Sequence, residues 1–173
     1  MATHTSDHVL QQWFASVDMD RSGAVNADEL RRALAVGNLH FPMRTISQMI
    51  RMYDRDSSGQ ISFNEFVQLH NFLCEVSESF YAYDRDRNGV LTFHEILDAL
   101  KRLKFNLEYP ALQSACQLFD PSRTGMLKMD DYISLCCFLQ LSDRIFKFYD
   151  PGNQGTVNLN FSQFVFCAGQ VSS

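Results

Sequence analysis

A twelve-residue segment over residues 84–95, Asp-Arg-Asp-Arg-Asn-Gly-Val-Leu-Thr-Phe-His-Glu, constrains this chain more than any other stretch. It matches the calcium-loop pattern of acidic or amide residues at positions 1, 3 and 5, Gly at position 6 and Glu at position 12. Ca²⁺ prefers about six to eight oxygen ligands, which such a loop supplies from these side chains, the position 7 carbonyl and both oxygens of the Glu. The segment therefore predicts a calcium site formed by Asp84, Asp86, Asn88, the Val90 carbonyl and Glu95.

The same pattern recurs five times along the chain. The windows span residues 18–29, 54–65, 84–95, 120–131 and 150–161, and each has Asp at position 1, Gly at position 6 and an aliphatic residue at position 8. The loop starts are separated alternately by 36 and 30 residues. The longer intervals contain a turn that ends at Pro42 or Pro110, so two helices fit there. The shorter intervals contain neither Gly nor Pro and predict continuous helices over 66–83 and 132–149.

These repeats predict an all-α fold of five tandem EF-hands, each a helix, a calcium loop and a second helix, with about eight helices in total. We expect one domain over residues 7–170 and a short N-terminal tail over 1–6. The extended segments at position 8 need hydrogen-bonding partners, which predicts short two-residue β pairings between loops, Val25 with Ile61 and Leu91 with Leu127. Thr45 and Gln48 have the spacing of a capping box, which predicts a helix start at Thr45.

The first two loops also offer complete ligand sets, because Ser at position 5 still supplies an oxygen. The predicted ligands are Asp18, Asp20, Ser22, the Ala24 carbonyl and Glu29 in the first loop, and Asp54, Asp56, Ser58, the Gln60 carbonyl and Glu65 in the second. Together with the third loop, these sets predict three Ca²⁺ ions per chain.

The fourth and fifth loops keep the repeat but lose the ligands. In the fourth, Ser122 replaces a carboxylate, Lys128 places an ammonium at position 9, and Asp131 is one methylene shorter than Glu. In the fifth, Gly152 and Phe161 stand at positions 3 and 12. Neither loop is expected to hold calcium, and both are interpreted as folding and pairing elements.

Composition excludes several classes of function. A net charge of −5 without a Lys- or Arg-rich run argues against a nucleic-acid partner. The five histidines and five cysteines form no catalytic or zinc motif, so we predict that the protein is not an enzyme and that the cysteines are reduced core thiols. With neither an apolar signal segment nor a membrane-spanning run, the expected location is cytoplasmic.

The fifth loop has no partner loop within the chain, because the other four pair in sequence order. Its Val157 therefore presents an unpaired strand edge. Apolar residues flank this loop, and a two-fold axis that pairs it with a second copy would satisfy both features. The sequence predicts a homodimer, or a heterodimer with a related chain, that forms with or without calcium. The flanking cluster consists of Phe146, Phe148, Phe161, Phe164, Val165 and Phe166.

Five tandem hands with two shared helices resemble the penta-EF-hand family over about residues 7–170, and loops 18–29 and 84–95 resemble its programmed cell death protein 6 branch most closely. The resemblance implies a calcium-responsive adaptor that binds Pro-rich segments of protein partners and associates with membranes in the presence of calcium. Two alternatives are a regulatory subunit of an enzyme, in the manner of the calpain small subunit, and a passive calcium buffer.

Overall fold

The computed structural model describes residues 7–172, with side chains described to Val171, and the predicted tail over 1–6 lies outside this range. Eight helices and two antiparallel strand pairs occupy the described residues, which confirms the predicted all-α EF-hand class. The elements are α1 (Asp7–Val17), β1 (Ala24–Val25), α2 (Ala27–Val36), α3 (Met43–Tyr53), β2 (Ile61–Ser62), α4 (Phe63–Tyr83), β3 (Val90–Thr92), α5 (Phe93–Arg102), α6 (Tyr109–Phe119), β4 (Met126–Lys128), α7 (Met129–Tyr149) and α8 (Phe161–Ser172).

The loops pair as their order in the chain predicts. Strand β1 pairs with β2, with Val25 opposite Ile61, and β3 pairs with β4, with Leu91 opposite Leu127. The second pairing is three residues long on each strand, one more than expected. All four of these aliphatic side chains are buried, so each pairing joins two loops and packs them against the core.

The two predicted continuous helices are α4 and α7, and each begins three residues before its predicted start. Each leaves one loop and enters the next, so the hands share them. Ser79 of α4 and Tyr132 of α7 are fully buried, and their hydroxyl oxygens lie 3.2 Å apart at the crossing of the two helices. One continuous apolar core extends from Phe14 in α1 to Leu141 in α7. By contrast, no residue of α8 with a described side chain is buried.

The predicted helix start at Thr45 is wrong. Helix α3 begins at Met43 with Pro42 at its N-cap position, so Thr45 and Gln48 lie inside the helix. A proline pre-sets the backbone for a helix start without a side-chain cap. Both Thr45 and Gln48 are buried and take part in tertiary hydrogen bonds, to Ser134 and to the Val171 carbonyl respectively.

The prediction of five core thiols is correct for three of them. Cys116, Cys136 and Cys137 are buried, whereas Cys74 is exposed and Cys167 is half-buried. Cys74 lies on α4 where this long helix has one face on the solvent, so an apolar neighbourhood in sequence did not mean burial. Within residues 7–172, no helix combines the length and the apolar character that a membrane crossing requires.

Candidate calcium sites

The glutamate at position 12 of a loop is both a candidate calcium ligand and a helix-capping residue, because it lies in the first turn of the helix that leaves the loop. In the first hand, Glu29 is the third residue of α2 and forms a capping box with Asn26. Its Oε2 accepts a 2.9 Å hydrogen bond from the Asn26 N–H, and its Oε1 accepts one of 2.9 Å from the N–H of Met19. Glu29 is only 5% exposed, and these backbone donors hold its carboxylate beside the loop.

The second loop repeats this arrangement with Glu65. Its Oε2 accepts hydrogen bonds from the Ser62 N–H (2.9 Å) and the Ser62 hydroxyl (2.7 Å). Its Oε1 accepts a 2.8 Å hydrogen bond from the N–H of Arg55 at position 2. Burial alone would raise the pKa of Glu65, but the hydrogen bonds from Arg55 and Ser62 outweigh it, and the pKa is lowered. The carboxylate is thus held in the charged form that a cation needs.

The aspartate at position 1 organises the turn of each loop. Asp54 Oδ1 accepts a 3.0 Å hydrogen bond from the Ser58 N–H, and its Oδ2 accepts one of 2.9 Å from the Gly59 N–H. Gly59 has φ +74°, a left-handed conformation in which a side chain would be strained. The same pattern holds in the first loop, where Asp18 accepts from Ser22 and Gly23. Backbone donors thus aim these carboxylates into the loops.

Two groups of three carboxylates converge among the described residues. The ligand oxygens of Asp18, Asp20 and Glu29 lie within 4.8 Å of one another, and so do those of Asp54, Asp56 and Glu65. The three ion pairs in the described chain, Arg31–Asp28, Lys101–Asp98 and Lys147–Asp143, lie outside these groups. Each group therefore concentrates negative charge that a divalent cation would neutralise. These six carboxylates are among the ligands that the sequence analysis assigns to the first two loops.

The third loop matches the sequence pattern best but is arranged differently. Asp84 accepts from the N–H groups of Asn88 and Gly89, both at 3.1 Å, as in the other loops. Glu95 Oε2 accepts from the Thr92 N–H at 3.0 Å and from its hydroxyl at 2.8 Å. The N–H of Arg85 at position 2, however, donates to the Tyr83 carbonyl at 2.9 Å. The carboxylate oxygens of Asp84, Asp86 and Glu95 therefore do not all lie within 4.8 Å of one another, unlike those of the first two loops.

The fourth loop lacks the backbone N–H at position 2 that, in the first two loops, donates to the position 12 carboxylate, here called the clamp residue. Its position 2 is Pro121, which has no N–H, so the carboxylate of Asp131 has no such anchor. Burial and the nearby charge of Asp130 raise the pKa of Asp131, whereas the pKa of Glu65 is lowered. Asp120 still accepts from the Thr124 and Gly125 N–H groups, so the loop keeps its shape without the clamp.

The fifth loop has a shifted register. In the other hands position 9 is the N-cap of the exiting helix, but α8 begins at Phe161, two residues later than this rule gives. Asn160 and Gln163 cap the helix reciprocally, each side-chain oxygen accepting a 2.9 Å hydrogen bond from the other residue's N–H. Gln163, rather than Phe161, therefore occupies the place of the clamp residue. Sequence reasoning missed this shift, although the Asn160-x-x-Gln163 spacing signals it.

Known proteins share the EF-hand repeats of this chain. Residues 7–69 match the sequence model of an EF-hand domain pair, and residues 74–103 match a second model of that description. Sorcin from Schistosoma japonicum is 38% identical over 170 residues, which cover 97% of this chain and 96% of that protein. Penta-EF hand domain-containing protein 2 from Dictyostelium discoideum is 32% identical over 154 residues, 89% of this chain and 74% of its own.

A solved structure shows the same fold over nearly the whole chain. It is that of a homolog of programmed cell death 6 protein from Leishmania major Friedlin, with a TM-score of 0.68 and 33% identity over 94% of this chain and 93% of that one. None of these three relatives is named as an enzyme, in agreement with the prediction that this chain is not one. The coverage, the identity and the five repeated hands lead to one conclusion: the chain belongs to the penta-EF-hand family of calcium-binding proteins.

Proposed function

We propose that the protein is a calcium sensor that binds three Ca²⁺ ions per chain and recruits protein partners when loaded. The observation that carries this proposal is the pair of convergent carboxylate groups in the first two loops, which lie beside an apolar groove. The proposed ligands are the predicted ones: Asp18, Asp20, Ser22, Ala24 and Glu29; Asp54, Asp56, Ser58, Gln60 and Glu65; and Asp84, Asp86, Asn88, Val90 and Glu95.

The groove lies between α1, α2 and α4 and has a volume of about 560 Å³. Trp13 and Val17 of α1 form one wall, Leu34 and Val36 of α2 form another, and Phe66 lies on α4. Calcium binding changes the angle between the helices on either side of a sensor loop. Because α1 and α2 flank the first loop, calcium there would alter this groove directly.

Pro-rich segments are the proposed partners. Such segments adopt an extended helix without internal hydrogen bonds and dock in aromatic-lined grooves. Trp13 is 46% exposed at the groove and packs against the ring of His70, with centroids 5.3 Å apart, so it offers an aromatic surface. Membrane association in calcium and a cytoplasmic location remain part of the proposal, on the strength of the family resemblance.

Assembly through the fifth hand is also proposed. Four phenylalanine side chains next to the fifth loop are between 58% and 80% exposed and form a large apolar surface on the single chain: Phe148, Phe161, Phe164 and Phe166. Within the described residues the fifth loop has no strand partner, and a cavity of about 440 Å³ opens between α7 and α8. A second copy, or a related five-hand chain, would cover this surface.

An apolar dye tests the sensor function. We expect its fluorescence to rise on calcium addition in the wild type and to stay flat in a variant with Glu29→Gln, Glu65→Gln and Glu95→Gln together. Calcium binding by calorimetry without any dye response would indicate a passive buffer instead. A stable heterodimer with an enzyme chain, recovered from lysate by pull-down, would indicate the regulatory-subunit alternative.

A further inference from the structure

Helix α3 enters the second hand, but its most extensive contact with a single helix is with α7, which leads to the fifth hand. It contacts α7 more extensively than α4, its own partner helix within the hand. Ile46 and Met49 of α3 are fully buried in this region, and the hydroxyls of Thr45 and Ser134 meet across the α3–α7 contact at 3.4 Å. Helix α7 therefore supports α3 from outside the second hand.

Polar contacts join the second half of α3 to the last turn of α8. Gln48 is 2% exposed, and its Nε2 donates a 2.7 Å hydrogen bond to the carbonyl of Val171. The Arg51 guanidinium donates to the side-chain oxygen of Gln170. A buried amide that loses its partner is costly, so displacing α8 from α3 would carry a penalty at Gln48.

A third contact reaches α3 from α7. Nη1 of Arg144 donates to the carbonyls of Arg51 (3.2 Å) and Met52 (3.1 Å). These carbonyls lie in the last turn of α3, where a helix has unsatisfied acceptors and favours a cation. Asp54, the first ligand position of the second loop, begins only two residues after Met52. Arg144 thus holds the end of the helix from which the second calcium loop starts.

We propose that Gln48, Arg51 and Arg144 form a latch that couples calcium binding at the second loop to the position of α8 in the fifth hand. The latch is closed in the structure in which Asp54, Asp56 and Glu65 converge, so it favours the geometry that receives the ion. The coupling is reciprocal: calcium at the second loop also holds α8 in place. The proposal rests on the proposed calcium binding at that loop.

Calorimetry in two backgrounds measures this coupling. Glu29→Gln with Glu95→Gln leaves the second loop as the competent site, and Glu29→Gln with Glu65→Gln leaves the third. In the first background, Gln48→Met or Arg144→Met should raise the calcium dissociation constant about fivefold or more, the lower end of typical coupling between sites. In the second background the same changes should leave it within about twofold. Arg144→Lys retains a donor and should restore most of the affinity.

Two matched controls separate the latch from general damage. Lys147→Met alters an exposed cation on the same helix, paired with Asp143, and Gln113→Met alters an exposed glutamine on α6, the entering helix of the fourth hand. Neither should change either dissociation constant. Equal losses in both backgrounds would show that the latch variants only destabilise the fold, and this result would overturn the proposal.

Hydrogen exchange reads the reciprocal effect at α8. Calcium should slow exchange of the α8 amides in the wild type and in Glu95→Gln, but not in Glu65→Gln. If the second loop binds calcium and α8 exchanges at the same rate with and without it, the latch is wrong while the calcium site stands. If calorimetry shows no calcium binding at the second loop, both the proposed calcium site and the latch are wrong.

Discussion

The N–H of Arg55 at loop position 2 donates a 2.8 Å hydrogen bond to Oε1 of Glu65 at position 12. This bond links the start of the second loop to its clamp, and Met19 and Glu29 form its counterpart in the first loop. The fourth and fifth loops have proline at position 2 and cannot form it. Position 2 supplies no calcium ligand. Its backbone N–H nevertheless donates to the position 12 carboxylate in the two loops whose carboxylates converge, and it is absent from the two loops that have lost their ligands.

Replacing Arg55 with proline should weaken calcium binding at the second loop by about tenfold or more, because a hydrogen bond to a charged carboxylate is lost. The backbone tolerates the change, since Pro121 and Pro151 occupy the same position in other loops. Arg55→Ala is the matched control, because it removes the same side chain and keeps the N–H. Calorimetry that finds equal affinities in the two variants would rule out the positioning role of this donor.

The repeat, the loop pairing and the shared helices could all be predicted from sequence, because Asp, Gly and an aliphatic residue recur at fixed positions. Contacts between distant residues could not. Thr45 and Gln48 look like a local cap, but Pro42 starts the helix and α7 and α8 bury both side chains. The different arrangement of the third loop was equally hidden, since the sequence does not show that the Arg85 N–H donates to the Tyr83 carbonyl.

The third loop should bind calcium with Glu95 as its bidentate ligand. Glu95→Gln removes the charged bidentate ligand and should reduce the stoichiometry from three Ca²⁺ per chain to two. Calorimetric titration measures this directly. Asp131→Asn in the fourth loop serves as the control and should leave the stoichiometry unchanged. A Glu95→Gln protein that still binds three ions would show that the third loop is misassigned.

The fifth hand should hold the dimer together without calcium, because its loop lacks the clamp carboxylate. Phe164→Asp places a charge on an apolar surface that is 60% exposed in the single chain, and should give a monomer or an insoluble protein. Light scattering should report twice the chain mass of 19.9 kDa for the wild type in both chelator and calcium. A wild-type monomer at micromolar concentration contradicts this assembly.

Native thiol reactivity should separate the exposed cysteine from the buried ones. Burial raises the pKa of Cys116 to about 11 and that of Cys137 to about 12, so these thiols stay protonated and inaccessible. Cys74 is exposed, although partial burial and the charge of Glu78 raise its pKa as well. A disulfide reagent should label Cys74 first, faster as pH rises because the thiolate reacts. Peptide mass spectrometry that finds Cys137 labelled in the native protein would contradict this packing.

Trp13 gives the most direct test of calcium sensing, because it is the only tryptophan in the chain and lines the groove beside the first loop. Calcium should shift its emission to longer wavelength as the groove opens to solvent. The shift should saturate with calcium and disappear in the combined Glu29→Gln and Glu65→Gln variant. Emission that is identical in calcium and in chelator, in a protein that calorimetry shows to be loaded, would contradict the sensor function.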